Sequence, residues 1–193
     1  MAWVQAENTR SLAVLEGDPR YPALRAEALV IAQAKDRIPM PEFLGGGVYN
    51  FWQDADHVRG VWRRTSVADY ANPTPDWSTV LDIDQLAKAE RANWVFKGAD
   101  CAEPRERRCL IALSDGGEDA VTLREFDLES DRFVDGGFIL PHSKQTAAWL
   151  DENTVLVARD WGQGSMTASG YPFVARVWVR RKSSFTASPA TWR

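Results

Sequence analysis

The rhythm of apolar positions changes once along this chain, close to residue 40. Before that point the spacing is helical. Val4, Leu12 and Leu15 fall near one face of a helix that Gly17 can end. Asp18-Pro19 restarts the chain, and Tyr21, Leu24, Ala28 and Ile31 then recur at i, i+3, i+7 and i+10 as a single stripe. The run ALRAEALVIAQAK is rich in good helix formers, and Pro39 and Pro41 stop it. After Gly45-Gly46-Gly47 the chain breaks into short β-branched and aromatic runs divided by polar turns. These are VYNFWQ, VRGVWRRTSV, WSTVLDID, NWVFKGA, RCLIALS, AVTLREFDL, RFVDGGFIL, QTAAWL, TVLVARDW and YPFVARVWVRR. The pattern predicts about ten strands at intervals of roughly 8–15 residues, with no helix-period segment between them.

Strands at this spacing define an all-β meander: a sandwich, a barrel or a propeller. Two features favour the propeller. In AVTLREFDL the apolar phase slips from Val121 and Leu123 to Phe126 and Leu128, which suits a strand buried on both faces, as in stacked blades. The turns also group into repeats of about 40–50 residues, the size of a four-stranded blade. The segment SDGGEDAVTLREFDLESDRFV then reads as a blade strand between two hairpin turns, with Gly116 and Gly117 supplying positive φ. Its charges are expected at strand ends and blade edges, where they deter edge-to-edge pairing.

Composition narrows the partners. With 193 residues, 45% hydrophobic and 26% charged, the chain is one large soluble domain or part of a bigger protein. A net charge of −4 offers no basic excess to neutralise phosphates, which argues against nucleic acid and anionic membranes. The short basic clusters, Arg105 to Arg108 and Arg180-Arg181-Lys182, read as solvated loops or strand ends. No apolar run approaches the roughly 20 residues of a membrane span, and MAWVQAENTRSL lacks a basic stretch leading an apolar core. A cytoplasmic location is therefore expected. Cys101 and Cys109 match no zinc spacing and read as free thiols, with a disulfide across a hairpin as the alternative. The tryptophans, spread from Trp3 to Trp192, read as repeated core anchors, with a sugar-binding platform as the alternative.

A search for chemistry assigns no catalytic, cofactor-binding or metal-binding residue. Ser165 and Ser169 in GQGSMTASG lack the G-x-S-x-G spacing and lie between strands, not on a strand-to-helix turn. His57 sits in a turn beside Asp54 and Asp56, and His142 follows Pro141; both read as surface residues without an evident nucleophile. Asp115, Glu118 and Asp119 lack the calcium-loop pattern and read as a turn. GGGVYN precedes a strand, the wrong context for phosphate binding.

The meander resembles the N-terminal half of the prolyl oligopeptidase family of serine peptidases. RIPMPEFLGGGVYNFWQD followed by VRGVWRR looks like the start of that family's first blade, and WSTVLDIDQLA like its end. SDGGEDAVTLREFDLESDRFV looks like the second-blade hairpin, and MTASGYPFVARVWVRR is similar to a third-blade segment of bacterial members. The helices at 1–38 resemble the family's leading helices, which pack on its hydrolase domain. The resemblance implies a seven-bladed propeller capping an α/β-hydrolase, acting as a size filter that admits short peptides. The Ser, Asp and His of that family's triad lie in the hydrolase part, and no position of this chain matches them. After Arg181 the text KSSFTASPATWR is polar and strand-poor, and resembles a truncated or frame-shifted tail.

The resulting expectation is a mainly β chain: helices at 1–38, about three blades of an incomplete seven-bladed β-propeller at 39–181, and an irregular tail at 182–193. Its function is the substrate-gating portion of a prolyl-oligopeptidase-like serine peptidase acting on short peptides, inactive alone and without a cofactor. The missing hydrolase domain is its expected partner; nucleic acid and membrane are not. Two rivals stand beside this: a self-contained module binding a peptide or carbohydrate, and one piece of a split peptidase completed by a separate hydrolase chain.

Overall fold

The computed structural model describes residues 1–34, 36–180 and, for the backbone alone, 186–189. The chain divides into two compact units, Met1–Ile38 and Pro39–Arg193. The first holds the two helices that the periodicity predicts, α1 (Ala2–Glu16) and α2 (Tyr21–Ala32). Gly17 ends α1 with its N–H on the Ala13 carbonyl, where a Cβ would come within 2.6 Å of that oxygen. Pro22 sits in the first turn of α2, where its missing N–H costs nothing. Neither helix buries a residue, and Trp3, Val14, Val30 and Ile31 stand exposed.

The second unit is a succession of antiparallel sheets, each built from one stretch of sequence. The first sheet runs β1 (Glu42–Leu44), β2 (Gly47–Trp52), β3 (Val61–Thr65) and β4 (Ser78–Asp82) in that order. A short helix, α3 (Val67–Tyr70), interrupts it, and α4 (Ile83–Glu90) follows it. The second sheet runs β5 (Trp94–Cys101), β6 (Arg108–Asp115), β7 (Val121–Asp127) and β8 (Arg132–Phe133), with β9 (Ile139–Ser143) also paired to β7. The third is β10 (Thr146–Asp151), β11 (Thr154–Ala158), β12 (Ala175–Val179) and β13 (Thr186–Pro189). The fold is mainly β with leading helices, as the pattern predicts.

Several expectations are corrected in detail. A helix does separate the first two sheets. Asp82 caps α4 by accepting the Gln85 N–H at 2.9 Å, and Gln85 Nε2 bonds back to the same carboxylate at 2.8 Å. Ile83 and Ala87 face inward, and Arg91, at φ 54°, ends the helix. Within VRGVWRRTSV only Val61–Thr65 is strand, because Asp84 takes the N–H groups of Arg59 and Gly60 out of the ladder. Gly60 has φ 102°, and a Cβ there would lie 2.2 Å from Phe51 Cζ. RFVDGGFIL splits into β8 and β9 at the turn around Gly136. Of the tail expected to be irregular, 182–193, residues Thr186–Pro189 form β13 against β12; the others lie outside the described residues.

The second sheet is buried on both faces. Cys109, Ile111, Leu113, Phe126 and Leu128 join Tyr49, Trp62, Leu81 and Ile83 in one core. Leu110, Val121 and Leu123 join Phe138, Leu140, Val155 and Val157 in another. The apparent phase slip in β7 is therefore strict alternation: odd positions face the third sheet and even positions the first. Trp62 centres the first core, with ring centroids 5.2 Å from Tyr49, 5.8 Å from Phe96 and 6.3 Å from Phe126. In the second core, Trp149 and Trp178 meet Phe138 edge-on. Trp62 is thus the core anchor expected of a tryptophan, whereas Trp3 is exposed. Trp149 Nε1 also donates to the Asp100 carbonyl at 2.8 Å, joining β10 to β5.

One charge of β7 departs from the expected edge position. Glu125 is 1% exposed, and it takes the place of an apolar residue facing the third sheet. Its carboxylate accepts from Arg180 Nη2 at 2.6 and 2.7 Å and from the Phe138 N–H at 2.8 Å, with Arg108 Nη1 at 3.6 Å. A buried carboxylate is tolerable only with such a complete set of partners. Replacing Glu125 by Ala is expected to destabilise the chain by about 3–5 kcal/mol, because Arg180 is left unpaired. Replacing the exposed Glu129 should cost no more than about 1 kcal/mol. Urea unfolding of both variants checks the contrast.

Candidate functional site

A groove of about 890 Å³ lies where the ends of the first two sheets meet. The β1–β2 turn, the segments around Arg64–Ser66 and Asp76–Ser78, the β5–β6 loop at Arg105–Arg107, and Leu128–Glu129 form its walls. Gly45 and Gly46 make the turn with φ of 53° and 80°, a conformation that favours glycine. That geometry delivers the Gly45 N–H to Glu106 Oε2 at 2.7 Å, a bond from the first sheet to the second.

Two arginines hold the walls in place. Arg64 forks onto Asp131 at 2.9 and 2.8 Å and donates to the Leu128 carbonyl at 2.8 Å. Arg107 forks onto Asp127 at 3.1 and 2.9 Å and also pairs with Glu129. These bonds from Arg107, outweighing partial burial, hold the Asp127 carboxyl down at about 2; the Glu129 N–H and Arg108 add to the effect. On the first-sheet side, Asp69 gathers the Thr65 hydroxyl, the Asp76 N–H and the Asn72 amide, which keep its carboxyl below the ordinary value. Nearby, the Arg63 guanidinium lies 4.4 Å from the ring centroids of both Trp52 and Trp77. The groove thus combines ion pairs with apolar surface from Tyr49, Trp77 and Leu128.

The structure places the residues weighed from sequence as follows. His57 Nδ1 lies 3.0 Å from Asp54 Oδ1 in the turn before β3. Burial opposes ionisation of Asp54, but bonds from the His57 N–H and ring, Trp52 Nε1 and the Asp56 N–H outweigh it and hold the carboxyl at about 2. His142 lies in the second sheet, with Nε2 2.6 Å from Glu118 Oε1. Ser165 is buried, donating to the Gly162 carbonyl and accepting the Trp161 N–H, so it closes a loop. Ser169 lies beside the Thr167 hydroxyl on the surface. Gly116 and Gly117 have φ of 65° and 91°, as the hairpin turn requires. Among the described residues, no group of three or more His, Cys, Asp or Glu is placed to hold a metal ion, and no helix is long and apolar enough to cross a membrane.

Two sequence readings are overturned here. Cys101 and Cys109 are bonded as a disulfide, because antiparallel pairing sets them directly opposite one another across β5 and β6. Arg108 and Arg180 are not solvated strand ends but partly buried partners of Glu125, while Arg107 is exposed as expected and still pairs with Asp127 and Glu129. The acidic partners lie 17 to 55 positions away and no local spacing reveals them.

Comparison with known proteins agrees with this architecture. Residues 1–182 match the family described as prolyl oligopeptidase, N-terminal beta-propeller domain. The chain is 50% identical over 184 residues to an uncharacterized peptidase, y4nA, of Sinorhizobium fredii (strain NBRC 101917 / NGR234), covering 95% of this chain and 25% of that protein. It is 27% identical to an uncharacterized peptidase, RP174, of Rickettsia prowazekii (strain Madrid E), covering 93% and 26%. A post-proline cleaving enzyme from Rickettsia typhi superposes with a TM-score of 0.85 at 27% identity, over 98% of this chain and 28% of that one. The chain belongs to the prolyl oligopeptidase N-terminal propeller family, and its stacked sheets are part of such a propeller. It spans about a quarter of the length of the relatives it matches.

The Asp127 pair gives a prediction with a defined sign. A carboxyl whose value is depressed on folding stabilises the fold above its unfolded value and loses that contribution as pH falls through the folded one. Replacing Asp127 by Asn should therefore lower the unfolding midpoint at about pH 6, and the gap from wild type should close between about pH 4 and pH 2. Thermal unfolding across this range checks it.

Proposed function

We propose that this chain is the substrate-gating portion of a serine peptidase that cleaves short peptides, with proline the residue after which it cuts. What supports this reading is the stack of sheets together with the likeness to a post-proline cleaving enzyme at a TM-score of 0.85. Sheets stacked face to face form a rigid wall, and a rigid wall discriminates by size without conformational work. The partner is a hydrolase domain carrying the Ser-His-Asp machinery and its oxyanion hole. The exposed apolar side chains of α1 and α2, such as Trp3, Leu12 and Val14, fit a partner surface of this kind. The proposed location is cytoplasmic.

A chimera tests the gating. This chain replaces the corresponding quarter of the Sinorhizobium fredii peptidase, with which it shares 50% identity. The chimera should hydrolyse a short proline-containing reporter peptide and leave casein intact, while the pure chain hydrolyses neither. Casein cleavage at a rate comparable to the peptide would overturn the gating role. Turnover by the chain alone would overturn the assignment of catalysis to a partner.

A further inference from the structure

We propose that Cys101 and Cys109 form a redox-controlled clasp on the join between the first and second sheets. The disulfide closes the last rung of the β5–β6 ladder, at the base of the loop 102–107. Everything that loop contributes to the groove hangs from this rung. Ala102 donates its N–H to the Arg108 carbonyl, and Glu106 donates its own to the Ala102 carbonyl, so the loop is short and closed. Glu106 Oε2 then accepts the Gly45 N–H of the first sheet at 2.7 Å. The neighbouring Arg107 carbonyl accepts the Leu128 N–H, and its guanidinium holds Asp127. The loop thus bridges to the first sheet on one side and to the end of β7 on the other.

The two sulfurs are unequally placed. Cys109 is fully buried in the core shared by the first two sheets, whereas Cys101 is only half-buried at the end of its strand. A small thiol, as its thiolate, attacks the Cys101 sulfur, forming a mixed disulfide there and releasing the Cys109 thiolate, which takes a proton. A second thiol then attacks the mixed disulfide. The products are two protein thiols and one disulfide of the reagent, so the protein gains two electrons and two protons. A neutral Cys109 thiol remains a small hydrophobe and keeps the core packed. What reduction removes is the covalent closure of the hairpin, which frees the loop and weakens the Glu106–Gly45 bond. The clasp does not depend on which substrate the protein handles.

The test equilibrates the purified chain in glutathione buffers of graded redox ratio. Alkylation and mass measurement count the thiols, and hydrogen exchange follows Gly45 and the loop. The expected result is one dithiol–disulfide transition. Over the same range, exchange at Gly45 and 102–107 should rise about tenfold or more on reduction, while β10–β12 stay unchanged. Reoxidation should reverse it. Glu106→Ala keeps both cysteines and should raise Gly45 exchange in the oxidised chain, leaving it insensitive to reduction. Free thiols in every buffer, an unchanged Gly45 on reduction, or faster exchange throughout all three sheets would each overturn the clasp.

Discussion

A strand sends successive side chains to opposite faces, so a sheet lying between two others has no face left for water. The second sheet meets this constraint, and the remainder of the propeller unit follows from it. Its strands β6 and β7 carry apolar residues on odd and even positions alike, and each set belongs to a different core. The first core holds an aromatic cluster gathered on Trp62 between Tyr49, Phe96 and Phe126. The second is mostly aliphatic, with Phe138 held between two indoles. Burial on this scale is what makes an array of short strands stable, since a lone hairpin is marginal in water.

The same constraint explains why the charges matter. Non-directional apolar contacts tolerate small slips between neighbouring sheets, whereas Glu125 accepts bonds only from groups in fixed positions. It ties the second sheet to Arg180 at the end of β12, much as Arg64 ties the first sheet to Asp131. The apolar faces supply adhesion, and the ion pairs supply register. The groove between the first two sheets inherits its shape from the latter.

Much of this was legible in the sequence. Helical periodicity marked α1 and α2, and the turn chemistry of Gly116-Gly117 placed the β6–β7 hairpin where it lies. The apolar residues of β7 betrayed a strand covered on both sides. Helix α4 was missed although Asp82 and Gln85 form a readable cap, because the preceding strand run obscured a helix of only eight residues. The disulfide needed register: hairpin spacing allows Cys101 and Cys109 to meet, but only the pairing makes them opposite. The burial of Glu125 and the engagement of Arg107, Arg108 and Arg180 were illegible in principle. Their partners come from other strands, and a single sequence carries no trace of that proximity.

Each of the three sheets is drawn from one uninterrupted stretch of chain, joined to the next in sequence order. This has a consequence for birth at the ribosome. A sheet whose strands are sequence neighbours can close as soon as its last strand has emerged, without waiting for distant residues. The first sheet is then a finished template when the second appears, and the second when the third does. Growth proceeds like laying courses of brick: the apolar face exposed at each stage is covered by the next course to leave the tunnel.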